Sequence, residues 1–321
     1  MINNKRKMYT SHKKQMMKKA QKLANATCSV IGKSCDKLMI GKTYWKNLAL
    51  PSVLHGVEAI NLTETDVNKL QTIENSVYRK ILNAPTYATK CSMRGEIGSS
   101  LMMKRIIKGR IMYLKSIEEG KNQLVKRIVE LMKEDTRFTW HQTNKKYFEQ
   151  MKLNYRKISE KNRKQLNDIL NDWDTKTWRA ELENKSSLRI YRNYKNEIKE
   201  ESAIYDNTPA STIMYRARAN CLQLNDRKRF GNEETNCTLC GQEEENIVHF
   251  ILTCPELANI RSENYMKEFQ QPYIENKDEI IGDLLFKTEN MEEKKEVIYK
   301  LWITKKKIIE NNNRNSQIAH N

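Results

Sequence analysis

Glycine and proline are scarce in this chain: ten and five in 321 residues, where average usage would give about 39 of the two together. Sandwiches, barrels and doubly wound nucleotide folds need these residues at tight turns and at positions of positive φ. A chain this poor in both is expected to be all-α, built from long helices. Its length corresponds to about two domains at roughly 150 residues each, and 38% hydrophobic residues are enough to build a core.

The charge narrows the class of partner. Fifty-eight Lys and Arg against 40 Asp and Glu leave a formal charge of +18. Such a surplus favours polyanions over small neutral substrates, so RNA or DNA is the expected partner and no small-molecule substrate is expected. No apolar run reaches the roughly 18 residues of a membrane span, and the N-terminus has no secretory h-region. Membrane association is therefore not expected. Seven cysteines, an odd number spread over a long chain, fit a reducing nucleus or cytoplasm better than a disulfide framework.

Three regions are expected. Residues 1–135 read as a helical, bundle-like region with a basic N-terminal arm. Eight basic residues and no acid lie between Lys5 and Lys22, and Lys13, Lys14, Lys18, Lys19 and Lys22 are candidates for phosphate contact. Tyr44, Leu48, Val53, Leu54 and Val57 suggest a short apolar helix broken at Pro51. Thr63, followed by Glu64 and Asp66, reads as a helix start. Val67, Leu70, Ile73, Val77 and Ile81 then share one face, and Pro85 bounds that helix. Ser99 or Ser100 is expected to cap the next helix, with Met103, Ile106, Tyr113, Leu114 and Ile117 on the core side. Lys104, Lys108 and Lys115 are expected on the opposite, outward face, and Gly120 at its end. Residues 136–207 read as a polar helical linker in which Trp140, Trp173 and Trp178 are packing anchors. Residues 208–321 form the third region, where Thr208-Pro209 restarts a helix. A last helix from about Thr288 carries Val297, Ile298, Leu301, Trp302 and Ile309, with a frayed tail from Asn311.

The chemistry concentrates in the third region. Cys237, Cys240, His249 and Cys254 are spaced C-x2-C-x8-H-x4-C. The first pair has the spacing of a zinc knuckle, and Gly241 permits the left-handed backbone that such a turn uses. Three thiolates and one imidazole close a tetrahedral site with no position for water, so a structural zinc is expected. His249 lies in an apolar stretch, Ile247 to Leu252, that reads as helix. Five residues of ideal helix rotate about 500°, leaving His249 and Cys254 roughly 140° apart. Both can ligate one ion only if the helix unwinds at Cys254, which Pro255 favours.

The zinc region is itself acidic, with seven acids and one base from Glu233 to Glu263. Nucleic acid is therefore expected to meet the approach segment, where Arg216, Arg218, Arg227, Lys228 and Arg229 face one acid, Asp226. No Walker loop, G-x-G-x-x-G, H-E-x-x-H or G-x-S-x-G occurs, and no two Asp residues are adjacent. His12, His55, His141 and His320 have no nucleophile beside them in sequence. Cys28, Cys35, Cys91 and Cys221 read as small hydrophobes.

Taken together, CTLCGQEEENIVHFILTCP (237–255) resembles the C-terminal CCHC module of LINE-type (non-LTR) retrotransposon reverse transcriptases. MYRARANCLQLN (214–225) is similar to the Arg-containing helix that leads into it. NLALPSVLHGVEAI (47–60) resembles the family's helix-Pro-helix stretch ending in an aromatic-Gly-x-Glu element, with His55 where the aromatic usually stands. LQTIENSVYRKILNAP (70–85) and MRGEIGSSLMMKRIIKGRIMYLKSI (93–117) look like the thumb helices that follow. The resemblance implies reverse transcription primed on cleaved target DNA, with thumb and CCHC modules gripping RNA and DNA. Fingers, palm carboxylates, endonuclease and any nuclease motif after Cys254 are missing. The chain thus reads as a C-terminal piece of such a protein, from a truncated copy or an internal start, carrying the grip without the chemistry. The rest of the element's protein is a further expected partner. The alternative is a zinc-containing protein-interaction adaptor, a domesticated remnant whose acidic module docks a partner.

Overall fold

The computed structural model describes residues 9–33, 36–134, 139–154, 161–202, 204–226, 234–263 and 276–319. Fourteen α-helices and no strand occur among them, so the chain is all-α. Contacts divide it into two units: Met1–Ile81 with Gly98–Glu181, and Leu82–Ile97 with Leu182–Asn321.

In the first unit the basic N-terminal segment is helix α1 (Thr10–Lys33). Met16, Ala20, Ala24, Thr27 and Ile31 are buried at steps of three and four, and α1 packs on α4 (Glu64–Ile81). Helix α2 (Lys37–Thr43) comes so close that a Cβ on Gly41 would lie 2.8 Å from both Ile31 and Ile81. That approach requires glycine. Pro51 does not break the next segment as expected. A π-turn over Tyr44–Ala49 runs directly into α3 (Leu50–Leu54), with Leu50 N–H donating to the Trp45 carbonyl. The widened turn suits a residue without an N–H. It also changes the register: Trp45, Ala49, Leu50 and Val53 are buried while Leu48 is 61% exposed.

Helix α4 starts as its sequence predicts. Asp66 N–H donates to Thr63 Oγ1 at 3.2 Å, and Thr63 N–H donates back to Asp66 Oδ2 at 3.0 Å, a reciprocal cap. Helix α5 (Lys90–Ile97) belongs to the second unit. Helix α6 (Met102–Glu119) in the first departs from expectation twice. Its N-terminus is capped from elsewhere in the chain: Leu101 N–H donates to Asp174 Oδ1 and Met102 N–H to Gln71 Oε1. Ser99 instead accepts from Arg105 at 2.6 Å. Its buried face is Met102, Ile106, Ile107, Arg110, Ile111 and Leu114, with Tyr113 exposed. Arg110 is tolerated inside because it donates to Asn144 Oδ1 and the Ile60 carbonyl, both at 2.8 Å.

Helix α7 (Gln123–Glu134) follows. The stretch expected to be a linker supplies core instead. Tyr147 and Phe148 of α8 (Thr139–Gln150), with Met151, Leu153, and Leu166 and Leu170 of α9 (Arg163–Glu183), pack against Ile107, Ile111 and Leu114. Its later part, including α10 (Arg189–Tyr194), belongs to the second unit. The reason is the apolar spacing 147/148/151 and 166/170, which a polar average conceals. Trp178 is buried, and Trp140 donates from Nε1 to the Glu58 carbonyl at 3.0 Å; both are packing groups.

The second unit is organised around α11 (Pro209–Arg218), α12 (Ala258–Ser262), α13 (Lys277–Phe286) and α14 (Met291–Ala319). Thr208 caps α11 by accepting from Ser211 N–H, with Pro209 in the first turn. One apolar cluster joins Ile213, Met214 and Ala217 of α11 to Leu284 and Leu285 of α13 and to Val297, Ile298, Leu301 and Trp302 of α14. Helix α14 continues through Asn311 to Ala319 rather than fraying at the asparagines. No helix among the described residues is long and apolar enough to cross a membrane.

Candidate metal centre

The loop from Glu234 to Gln242 folds back on itself. Asn236 and Glu244 form an isolated antiparallel bridge, with Cys237 N–H donating to the Glu243 carbonyl at 2.8 Å. Gly241, at φ +68°, donates to the Cys237 carbonyl at 2.9 Å, and closes the turn that turns both cysteines inward. Leu239 N–H points at Cys237 Sγ, 3.4 Å away, a donor that favours the thiolate.

The other two groups come from a helix of unusual pitch. Residues His249–Thr253 form a π-turn in which Cys254 N–H donates to the His249 carbonyl at 2.8 Å. An i→i+5 bond carries residue 254 back over residue 249, removing most of the roughly 140° separation that an ideal helix would impose. The helix ends there: Cys254 is extended at ψ 119° and Pro255 opens the next short turn.

One ligand atom from each of Cys237, Cys240, His249 and Cys254 lies within 4.8 Å of all the others. Cys237 Sγ and Cys254 Sγ are 3.8 Å apart, and Cys240 Sγ is 3.4 Å from His249 Nε2. Tetrahedral ligands about 2.0–2.3 Å from one ion are separated by such distances. Burial and the neighbouring Cys237 sulfur push the Cys254 thiol up to about 12, and burial raises Cys237 as well. Two crowded, desolvated sulfurs are poor acids on their own; a cation between them supplies the missing compensation. The four residues can hold a metal ion.

Two outer groups were not singled out in the sequence. Glu243 Oε2 lies 3.0 Å from His249 Nδ1 and accepts from Thr253 Oγ1 at 3.4 Å. Accepting from Nδ1–H fixes the tautomer that presents Nε2 inward. Glu245 is 1% exposed. It accepts from Asn225 N–H at 2.9 Å, from Thr238 Oγ1 at 3.3 Å and from the buried Lys305 of α14, with Cys237 Sγ 3.6 Å away. The Lys305 ammonium balances a carboxylate set beside a thiolate. Replacing Glu243 with Ala is expected to weaken metal affinity by roughly 10–100-fold, the usual effect of removing such a partner. Competition against a calibrated chelator measures it, and unchanged affinity would show that His249 needs no orienting group.

The candidate phosphate contacts separate into different environments. Lys14, Lys18, Lys19 and Lys22 are exposed on α1, while Lys13 is half-buried and paired with Asp66 at 2.8 Å. Lys108 is half-buried. Lys104 and Lys115 do not form an outward row. Lys104 bonds Ser100 Oγ and the buried Asp174, and Lys115 donates to the Lys161 carbonyl at 2.6 Å. Helix α6 is rotated from its expected setting, which turns these ammonium groups toward neighbouring segments. Arg216 is half-buried and donates to the Asn83 carbonyl at 2.9 Å. Arg218 is 2% exposed and paired with Glu96 at 3.0 Å, so it is a core residue rather than a contact for nucleic acid. Arg227, Lys228 and Arg229 lie outside the described residues.

No family model, curated protein or solved structure matches the chain.

Proposed function

We propose that this protein binds RNA or DNA through α1 and uses the four-residue centre to hold a structural zinc ion, without catalytic chemistry of its own. The observation that carries the reading is the outer face of α1. Lys14, Lys18 and Lys22 are exposed at steps of four, a straight row about 6 Å between residues, with Lys19 beside it. No acid occurs before Asp36. A rigid, acid-free row of ammonium groups suits a phosphate backbone. Thiolate-rich donors with one imidazole favour zinc among common cellular ions, and four protein ligands leave it a structural role. The order of motifs that resembles LINE-type reverse transcriptases supports the same grip-without-chemistry reading. A protein-interaction adaptor is favoured by a different observation: Leu124, Ile128 and Leu131 of α7 form an exposed apolar stripe, Leu124 at 69%.

Salt separates the two. Oligonucleotide affinity is expected to fall by orders of magnitude between about 50 and 200 mM salt, and alanine at Lys14, Lys18 and Lys22 together to reduce the log–log slope by up to about 2.7, near 0.9 per phosphate contact. Fluorescence anisotropy across a salt series measures both. Failure to bind any RNA or DNA at low salt would leave the adaptor reading.

A further inference from the structure

Beside the Lys row, α1 and α3 border a half-open cavity of about 400 Å³. Its polar lining is His12, Gln15 and Lys19 from α1, and Ser52 and His55 from α3 and the turn after it. No carboxylate is among the described residues lining it. Lys19 is not a freely sweeping side chain: its Nζ donates to the Ser52 carbonyl at 2.7 Å. That bond uses one of three ammonium hydrogens and aims the others toward the space around it. Two imidazoles, one hydroxyl and one carboxamide line the same cavity, each able to donate to an acceptor bound there.

We infer that this cavity binds a phosphate monoester dianion, either the terminal phosphate of a nucleic-acid strand or a small free phosphate compound. The charge argues for an anion, because a positive group fixed beside two imidazoles has no acid to balance it. The number of donors argues for a phosphate group with several free oxygens, since charge-assisted hydrogen bonds to an oxyanion are the strong ones. A terminal phosphate leaves three oxygens free for these donors, whereas an internal phosphodiester leaves only two, so the donor set favours a terminal group. The inference stands apart from the nucleic-acid reading, since a free phosphate would occupy the same donors.

The test uses the full chain. Inorganic phosphate is titrated while the imidazole resonances of His12 and His55 are followed by NMR. Both are expected to shift together and saturably, while His141, buried elsewhere in the first unit, stays still. In His55→Gln the His12 response should weaken at least about tenfold, the effect of losing one charge-assisted hydrogen bond. His55 is exposed, so the substitution does not threaten the fold. Linear, non-saturating shifts, or equal responses in wild type and His55→Gln, would mean an adventitious ion only and overturn the inference. A second arm identifies the source by comparing one oligonucleotide with and without a 5′- or 3′-phosphate. Tighter binding of a phosphorylated form that moves the same imidazoles points to a strand end. Saturable inorganic phosphate with no oligonucleotide binding keeps the cavity, assigns it a small phosphate compound, and counts against the nucleic-acid reading alone.

Discussion

Cys240→Ala is expected to abolish stoichiometric metal and to melt residues 234–262, with the loss reaching into the core of the second unit. The ligands are not an appendage to that core. Cys237 and Cys254 lie in one apolar cluster with Ile247, Phe250, Leu252 and Leu257, and with Leu284, Val297, Leu301 and Trp302 of α13 and α14. Phe250 meets Trp302 edge-on, ring centroids 6.0 Å apart. Apparent zinc-binding energies of about 10–16 kcal/mol in finger peptides equal or exceed the roughly 5–15 kcal/mol that stabilises a whole domain. Without the ion, the buried sulfurs, Glu245 and the π-turn have little else to hold them. The first unit has its own cores, around α1 and α4 and around Ile107, Phe148 and Leu170, and is expected to keep its exchange protection. Elemental analysis gives the stoichiometry, and hydrogen exchange resolved by segment gives the extent of melting. Full metal occupancy in Cys240→Ala would rule out the ligand set. Metal loss with α14 still protected would show that the centre stabilises only its own loop.

What could be read before the fold was known has a physical pattern. Cys237, Cys240, His249 and Cys254 were legible because a metal's coordination geometry is written in local spacing. The Thr63–Asp66 cap, the Thr208-Pro209 start and the turn at Gly241 were legible for the same reason: each is settled within about four residues. The roughly 140° mismatch between His249 and Cys254 even marked where a regular helix could not continue, although the remedy is a π-turn rather than simple unwinding. Residues whose partners lie far along the chain were not legible. Lys104 finds Asp174, Lys305 finds Glu245 and Arg218 finds Glu96; in isolation each cation resembles the exposed lysines of α1. Nothing local marks Lys104 or Lys115 as partnered, so the face of α6 that carries them was assigned to solvent, although Lys104 bonds Asp174 and Lys115 the Lys161 carbonyl. The charge of +18 has its most accessible expression on α1, where Lys14, Lys18, Lys19 and Lys22 are exposed.

Arg218 gives the sharpest contrast between these two kinds of cation, and Arg218→Ala is expected to destabilise the second unit by about 3–5 kcal/mol, the usual effect of breaking a buried ion pair. Its Nη2 is 3.0 Å from Glu96 Oε1, its Nη1 donates to the Leu285 carbonyl at 2.6 Å, and its guanidinium sits 4.2 Å from the Phe286 ring centroid. Glu96 is fully buried and also accepts from Tyr205 at 2.7 Å. Removing the guanidinium would strand a buried carboxylate with only neutral tyrosine hydroxyls, Tyr205 and Tyr191, beside it and leave the α13 carbonyl without this partner. Much of the loss should come from the stranded charge, so the double variant Glu96→Leu with Arg218→Met is expected to recover most of it. Lys22→Ala, on the exposed face of α1, should change stability by no more than about 0.5 kcal/mol while weakening oligonucleotide binding. Denaturation followed by hydrogen exchange over α11 and α13, paired with anisotropy, separates the two effects. If Arg218→Ala kept full stability and lost oligonucleotide affinity, its guanidinium would belong at the surface, and the second unit would share in the grip on nucleic acid.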